Sequence, residues 1–88
     1  MTAKQVREIM IESDAEESYV WDDYSEAFIG ITNSGQAVYD YDKMVEIAQR
    51  DYEVSATEAV DYIQYNVLGF IPHSDSRYPI VVFNSEVK

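Results

Sequence analysis

The single histidine of this chain lies among residues that could carry out hydrolytic chemistry. His73 lies in the run Pro72-His73-Ser74-Asp75-Ser76, which brings an imidazole, two hydroxyls and a carboxylate together. A Ser–His–Asp triad, however, needs side chains that converge from separate structural elements, and these residues are neighbours in one predicted loop. We therefore expect an exposed loop histidine, and a small hydrolase that uses His73 is the weakest of three functional hypotheses.

Acids that lie close together in the sequence are the second possible source of chemistry. Three such pairs are Asp22 with Asp23, Asp40 with Asp42, and Glu16 with Glu17. Hydrolysis by two carboxylates needs a cleft between them, and a chain of 88 residues has little room for one. The chain also contains no cysteine, no calcium-loop pattern and no glycine-rich phosphate loop. We therefore expect no enzymatic activity, no metal site and no cofactor.

The charge of the chain excludes further classes of function. Seventeen acids against six lysines and arginines give a net charge of −11, and the basic residues are scattered. This charge repels nucleic acids and anionic lipid surfaces. No apolar run reaches the roughly 18 residues that a membrane span needs, and no signal-peptide apolar core follows Met1. We expect a cytoplasmic protein that binds neither nucleic acid nor membrane directly.

The excess of acid itself leaves two interpretations open. Net charge keeps small proteins soluble, and many cytoplasmic proteins are acidic for that reason. Alternatively, the acids form a surface that fits a basic groove on a partner protein.

Local sequence patterns predict the elements that must position these side chains. Thr2 to Gln5 has the form of a capping box, which predicts a helix over residues 2–12. Residues 27–40 are typical of a β-hairpin, in which Gly35 supplies the positive φ of the loop. Between them, the acidic stretch from Glu12 to Glu26 fits either a further helical turn or an irregular connection.

Two helices and a final strand are predicted for the second half of the chain. The first helix is capped by Asp40 or Asp42. The second begins at the capping box Ser55–Glu58 and ends at Gly69, which stands where a C-cap glycine belongs. The apolar run over residues 79–83 predicts a strand.

The sum of these elements is an α+β fold in the order α-β-β-α-α-β. We expect a small three-stranded, antiparallel sheet with helices packed on one face, and with the first or last strand at its centre. The length allows a single domain over residues 1–88. Within it, residues 1–26 form an acidic N-terminal helical segment and residues 27–83 form the α+β core.

The second half of the chain resembles a group of small, largely uncharacterised proteins of phages and bacteria. The residues that carry the resemblance are Val38–Met44, the helix Glu58–Gly69 with its end Tyr65-Asn66-Val67-Leu68-Gly69, and the strand Pro79–Val82. The group shares an aromatic-Asn-x-x-Gly or aromatic-Asn-x-x-Arg helix end, a loop and a Pro-Ile strand. The resemblance implies an α+β fold and a phage or prophage association, and it leaves the acidic first 26 residues uncovered.

These observations favour a non-enzymatic, acidic binding protein. Small acidic phage proteins often bind a host protein, and anti-CRISPR and anti-restriction proteins, some of which mimic nucleic acid, are examples. The leading hypothesis is therefore a phage-encoded protein in the host cytoplasm that inhibits or modulates a nucleic-acid-handling host protein with a basic surface. The alternative is a small structural or assembly protein that acts by self-association as a homodimer, through the edge of the final strand and exposed tyrosines.

We place the partner-binding surface in the acidic aromatic segment Glu16–Glu26. Aromatic side chains give large contact areas at low entropic cost, and acids attract a basic partner. The residues assigned to this surface are Tyr19, Trp21, Asp22, Asp23, Tyr24 and Glu26. Two interpretations of Trp21 remain open: an interface residue, or a residue that turns inward and fills the small core.

Overall fold

A computed structural model of the chain describes residues 1–70 and 77–83, and at Phe70 only the backbone. In this part of the chain the helices are α1 (Ala3–Glu12), α2 (Tyr41–Tyr52) and α3 (Ala56–Asn66). The strands are β1 (Phe28–Ile31), β2 (Ala37–Asp40) and β3 (Ile80–Val82). Two 3₁₀ segments, Asp22–Ala27 and Leu68–Phe70, connect them. The predicted loop around His73 lies outside the described residues.

Both predicted capping boxes are confirmed. At the start of α1 the Gln5 N–H donates to the Thr2 hydroxyl at 3.2 Å, and the Thr2 N–H donates to the Gln5 side chain at 2.8 Å. Ser55 and Glu58 make the same reciprocal pair at the start of α3. These local bonds satisfy N–H groups that a helix cannot pair internally, so each helix begins where the sequence places it.

The predicted role of Gly69 is wrong. Val67 is the C-cap of α3, and the chain continues into a 3₁₀ segment in which Gly69 has no positive φ. A different constraint accounts for the glycine, because a Cβ at this position would lie 3.1 Å from the Gln64 carbonyl oxygen. This close approach of the backbone therefore favours glycine at position 69.

The α+β class and the three-stranded sheet are confirmed, with a mixed strand arrangement. β1 and β2 form the predicted antiparallel hairpin, and Gly35 has a φ of 85° in its loop. β2 and β3 are parallel, with Val38 opposite Ile80. A parallel neighbour needs a long crossover connection, which α2 and α3 supply.

The central strand is β2, so the expectation of a first or last strand at the centre is wrong. Ala37 and Tyr39 of β2 are completely buried, and among the strands of residues 1–70 and 77–83 only β2 is paired on both sides. The central position of β2 covers both of its neighbouring edges and accounts for the complete burial of these two side chains.

One hydrophobic core unites the two predicted parts of the chain. Its largest fully buried side chains are Tyr39, Met44, Ile63 and Val6. Val6 belongs to α1, so the N-terminal segment packs into the same core as residues 27–83. None of the described helices has the length and apolarity that crossing a membrane requires.

Candidate functional site: an aromatic and acidic groove

Residues 20–24 of the predicted partner-binding segment form one wall of a solvent-open groove of about 490 Å³, so the expectation that the chain has little room for a cleft is wrong. Among the described residues, this aromatic–acidic groove is lined chiefly by Trp21, Asp22, Asp23, Tyr24, Tyr52 and Tyr62. Val20, Asn66, Val67 and Tyr78 complete its lining. The first 3₁₀ segment (Asp22–Ala27), the end of α2 and the outer side of α3 therefore meet at one surface.

Trp21 lies at the boundary between the core and the surface, the two positions that its sequence context left open. It is half-buried, and its ring lies 5.1 Å from the ring of the buried Tyr39. Its backbone N–H donates to the Tyr39 hydroxyl at 2.9 Å. One part of the indole thus packs on the core while the rest lines the groove, and the core fixes its position.

Two of the predicted site acids are held by arginines from other elements. The Arg7 guanidinium of α1 donates to Asp22 at 2.6 Å. Arg50 of α2 donates to both carboxylate oxygens of Glu26, at 2.8 and 3.2 Å. These hydrogen bonds hold the pKa of Glu26 below its ordinary value. All four side chains are about half exposed, so the pairs orient the segment more than they stabilise the fold.

Asp23 differs from its neighbours in its charge environment. It is exposed and lines the groove, and no described residue forms an ion pair with it. Asp51 lies nearby at the end of α2, where its carboxylate accepts from Arg50 at 2.9 Å. The uncompensated negative charge of the groove is therefore concentrated at Asp23.

Tyr24 is buried, with an exposed fraction of only 5%. Its hydroxyl is shut off from solvent and has no hydrogen-bond partner among the described residues. Burial, followed by the influence of Tyr52 and Tyr62, raises its pKa far above the ordinary value. Tyr24 therefore holds a neutral phenol, with unused hydrogen-bonding capacity, beneath the groove.

Tyr24→Phe should raise the free energy of unfolding by about 1 kcal/mol, because it removes a buried hydroxyl that has lost its hydration without gaining a partner. Urea unfolding followed by circular dichroism measures the change. Tyr39→Phe is the matched control and should change stability in the opposite direction, because the Tyr39 hydroxyl accepts the Trp21 N–H. A loss of stability in Tyr24→Phe would show that the Tyr24 hydroxyl has a partner in solution.

Tyr52 and Tyr62 form the opposite wall of the groove, and sequence reasoning did not assign them to it. Their ring centroids are 4.8 Å apart, and the Tyr52 hydroxyl donates to that of Tyr62 at 3.3 Å. This hydrogen bond, with some burial, raises the pKa of Tyr52 to about 12. The one signal in the sequence was the count of eight tyrosines, too many for a small core to bury.

Tyr19 lies beside the groove and does not line it. Its ring stacks on Tyr78 with centroids 4.5 Å apart, and the Arg77 guanidinium lies 5.1 Å from its centroid. The Tyr19 N–H also donates to the Arg77 carbonyl at 2.8 Å. Tyr19 therefore fastens the acidic segment to the chain just before β3.

The described residues do not present a cluster of side chains typical of metal binding. Within residues 1–70 and 77–83, no three His, Cys, Asp or Glu side chains converge as a metal site requires. Comparison with protein-family models, curated proteins and solved structures finds no match for this chain. The resemblance to small phage proteins therefore stays a prediction.

Proposed function

We propose that this chain is a non-enzymatic binding protein that docks through the aromatic–acidic groove on a basic surface of a partner protein. The observation that supports this most is the convergence of Trp21, Tyr52 and Tyr62 with Asp23 from three separate elements. Large aromatic side chains dominate the energetics of protein interfaces. Uncompensated carboxylates beside them steer a basic partner and set its orientation.

The proposed partner is a host protein that handles nucleic acid, and the chain acts on it as a phage-encoded inhibitor or modulator in the host cytoplasm, in the manner of anti-CRISPR or anti-restriction proteins. The net charge of −11 supports this class of partner, because a groove built for nucleic acid is strongly basic. In the described residues, ion pairs engage Asp22, Glu26, Glu46 and Asp51. The other described acids form no ion pair, although Asp40 and Glu58 cap helices, and nucleic-acid mimicry is part of the proposal.

Affinity capture from a bacterial host lysate tests the proposal. The expected result is retention of a nucleic-acid-binding protein, whose DNA or RNA is then displaced by an excess of this chain. Retention of proteins that handle no nucleic acid, or a retained protein whose nucleic acid is not displaced, would contradict the proposed partner class.

A charge variant tests the docking surface on the captured protein. Asp22→Asn combined with Asp23→Asn should slow association on the order of threefold to tenfold at low salt and flatten its salt dependence, because it weakens electrostatic steering. Stopped-flow mixing measures the rates. Glu8→Gln with Glu12→Gln is the matched control, since both acids are exposed and lie outside the groove. Equal effects of the two double variants would place docking elsewhere.

The outer face of the sheet favours the second candidate, a structural protein that acts by self-association. Ile29 and Ile80 are 55% and 38% exposed, and Val38 lies between their strands, opposite Ile80. Homodimers often form through strand edges and exposed aliphatic side chains. Sedimentation equilibrium of the wild type and of Ile80→Lys tests this candidate. A monomer at high concentration in both would exclude it.

A further inference from the structure

The aromatic–acidic groove contains a set of groups that matches one particular side chain. It presents the rings of Trp21, Tyr52 and Tyr62, the carboxylate of Asp23, and the edge of Tyr24. We propose that it receives an arginine of the partner protein, with the guanidinium stacked on these rings and hydrogen-bonded to Asp23. This inference rests on the proposed function for its docking surface and adds the identity of the residue that fills it.

Charge is the first argument for a cationic occupant. Asp22 lines the groove with Asp23, Asp51 lines the smaller pocket with it, and each accepts a hydrogen bond from an arginine of this chain. Asp23 lines both the groove and the smaller pocket, and it accepts no hydrogen bond from a described residue. A cation beside Asp23 would balance its charge, as arginines already balance those of Asp22 and Asp51.

The buried phenol of Tyr24 is the second and independent argument. Its hydroxyl is unpartnered among the described residues, and the groups that act on it electrostatically are Tyr52, Tyr62, Asp23 and Asp51. Tyr24 itself lines both the groove and the smaller pocket beside it. The hydroxyl is shut off from solvent in the free chain, so a guanidinium N–H reaches the phenol oxygen once a groove side chain moves aside.

Planarity selects arginine over lysine. A guanidinium stacks on aromatic rings and donates in several directions at once, whereas an ammonium is a compact, strongly hydrated charge. Arginines of this chain already use the same two modes nearby. Arg77 lies over the Tyr19 ring, and Arg50 donates to both oxygens of Glu26.

A titration with three peptides tests the assignment on the full chain. The probes are blocked Gly-Arg-Gly, Gly-Lys-Gly and Gly-citrulline-Gly peptides at constant ionic strength. Fluorescence of Trp21, the single tryptophan, and amide shifts from ¹⁵N NMR report binding in the groove. The arginine peptide should bind on the order of tenfold more tightly than the lysine peptide, and the neutral citrulline peptide should not bind measurably.

Two pairs of variants locate the binding. Asp23→Asn and Tyr52→Leu should each weaken the arginine peptide on the order of tenfold, because each removes one contact to a charged group. The controls Glu8→Gln and Tyr65→Leu change an exposed acid and a tyrosine that is 77% exposed outside the groove, and they should have no effect. A cooperative thermal unfolding transition in each of the four variants is the check that all of them fold.

Two results would overturn the assignment: equal affinity for the lysine and arginine peptides, or equal sensitivity to the site and control variants. Both are distinct from a failure of the proposed function. Host capture that retains no nucleic-acid-handling protein contradicts the partner class and leaves the peptide result intact. Conversely, a captured partner can depend on the groove while the peptides show no preference for arginine, which contradicts the arginine assignment alone.

Discussion

Tyr39→Ala is expected to leave the chain unfolded, or close to it, at room temperature. Tyr39 is fully buried in the central strand, and its ring packs against Trp21 at 5.1 Å and Phe28 at 5.8 Å. Replacing a buried aromatic residue with alanine costs about 3–5 kcal/mol. A domain of this size has a free energy of unfolding near the low end of about 5–15 kcal/mol, so little stability would remain. Urea and thermal unfolding followed by far-UV circular dichroism measure the loss.

Two further variants separate the contributions of the Tyr39 side chain. Tyr39→Phe keeps the packing and removes the acceptor of the Trp21 N–H, so it should cost only about 1 kcal/mol. Tyr65→Ala controls for loss of a tyrosine at an exposed site and should change stability by less than about 0.5 kcal/mol. If Tyr39→Ala unfolds within about 1 kcal/mol of the wild type, the central position of β2 is contradicted.

Trp21→Ala should weaken both folding and partner binding. The indole is half-buried, so the loss of stability should be about 2 kcal/mol, roughly half that of a fully buried ring. As a groove residue it should also weaken partner binding by about 2 kcal/mol or more. Thermal unfolding and calorimetric titration with the captured host protein measure the two losses separately.

The comparison with Asp23→Asn makes the Trp21 result specific. Asp23 is exposed and unpaired among the described residues, so its substitution should weaken binding without loss of stability. Trp21→Phe should recover most of the stability, because it restores packing on Tyr39. A Trp21→Ala variant that loses stability and binds its partner as tightly as the wild type would show that Trp21 serves the core alone.

The parts of the fold that the sequence predicts are those decided by neighbouring residues. Thr2 with Gln5 and Ser55 with Glu58 are satisfied within one helical turn, and Gly35 is required by its own turn. The parallel pairing of β3 is different, because Ile80 finds its neighbour through the packing of two intervening helices. No local pattern records that choice, and the order of strands was therefore predicted wrongly.

The candidate site was predicted only in part, because some of its residues are neighbours in the sequence and the others meet only through tertiary packing. Asp22, Asp23 and Trp21 are contiguous, so their shared surface follows from the sequence. Tyr52 and Tyr62 join them only because α2 and α3 pack side by side beneath the 3₁₀ segment. Burial of Tyr24 likewise depends on tertiary packing, since its local context is as acidic as that of its exposed neighbours.

The parallel pairing of β2 with β3 has a consequence for the synthesis of the chain on the ribosome. β1 and α1 precede β2 and can pack with it as soon as it emerges, whereas β3 follows only after α2 and α3. At translation speeds of about 5–20 residues per second, one side of β2 keeps its backbone N–H and C=O groups unpaired for a few seconds. An open strand edge of this kind is a site for pairing with other nascent chains. Pairing with β3, which requires the α2–α3 connection to fold back on the sheet, closes this edge of the newly made protein.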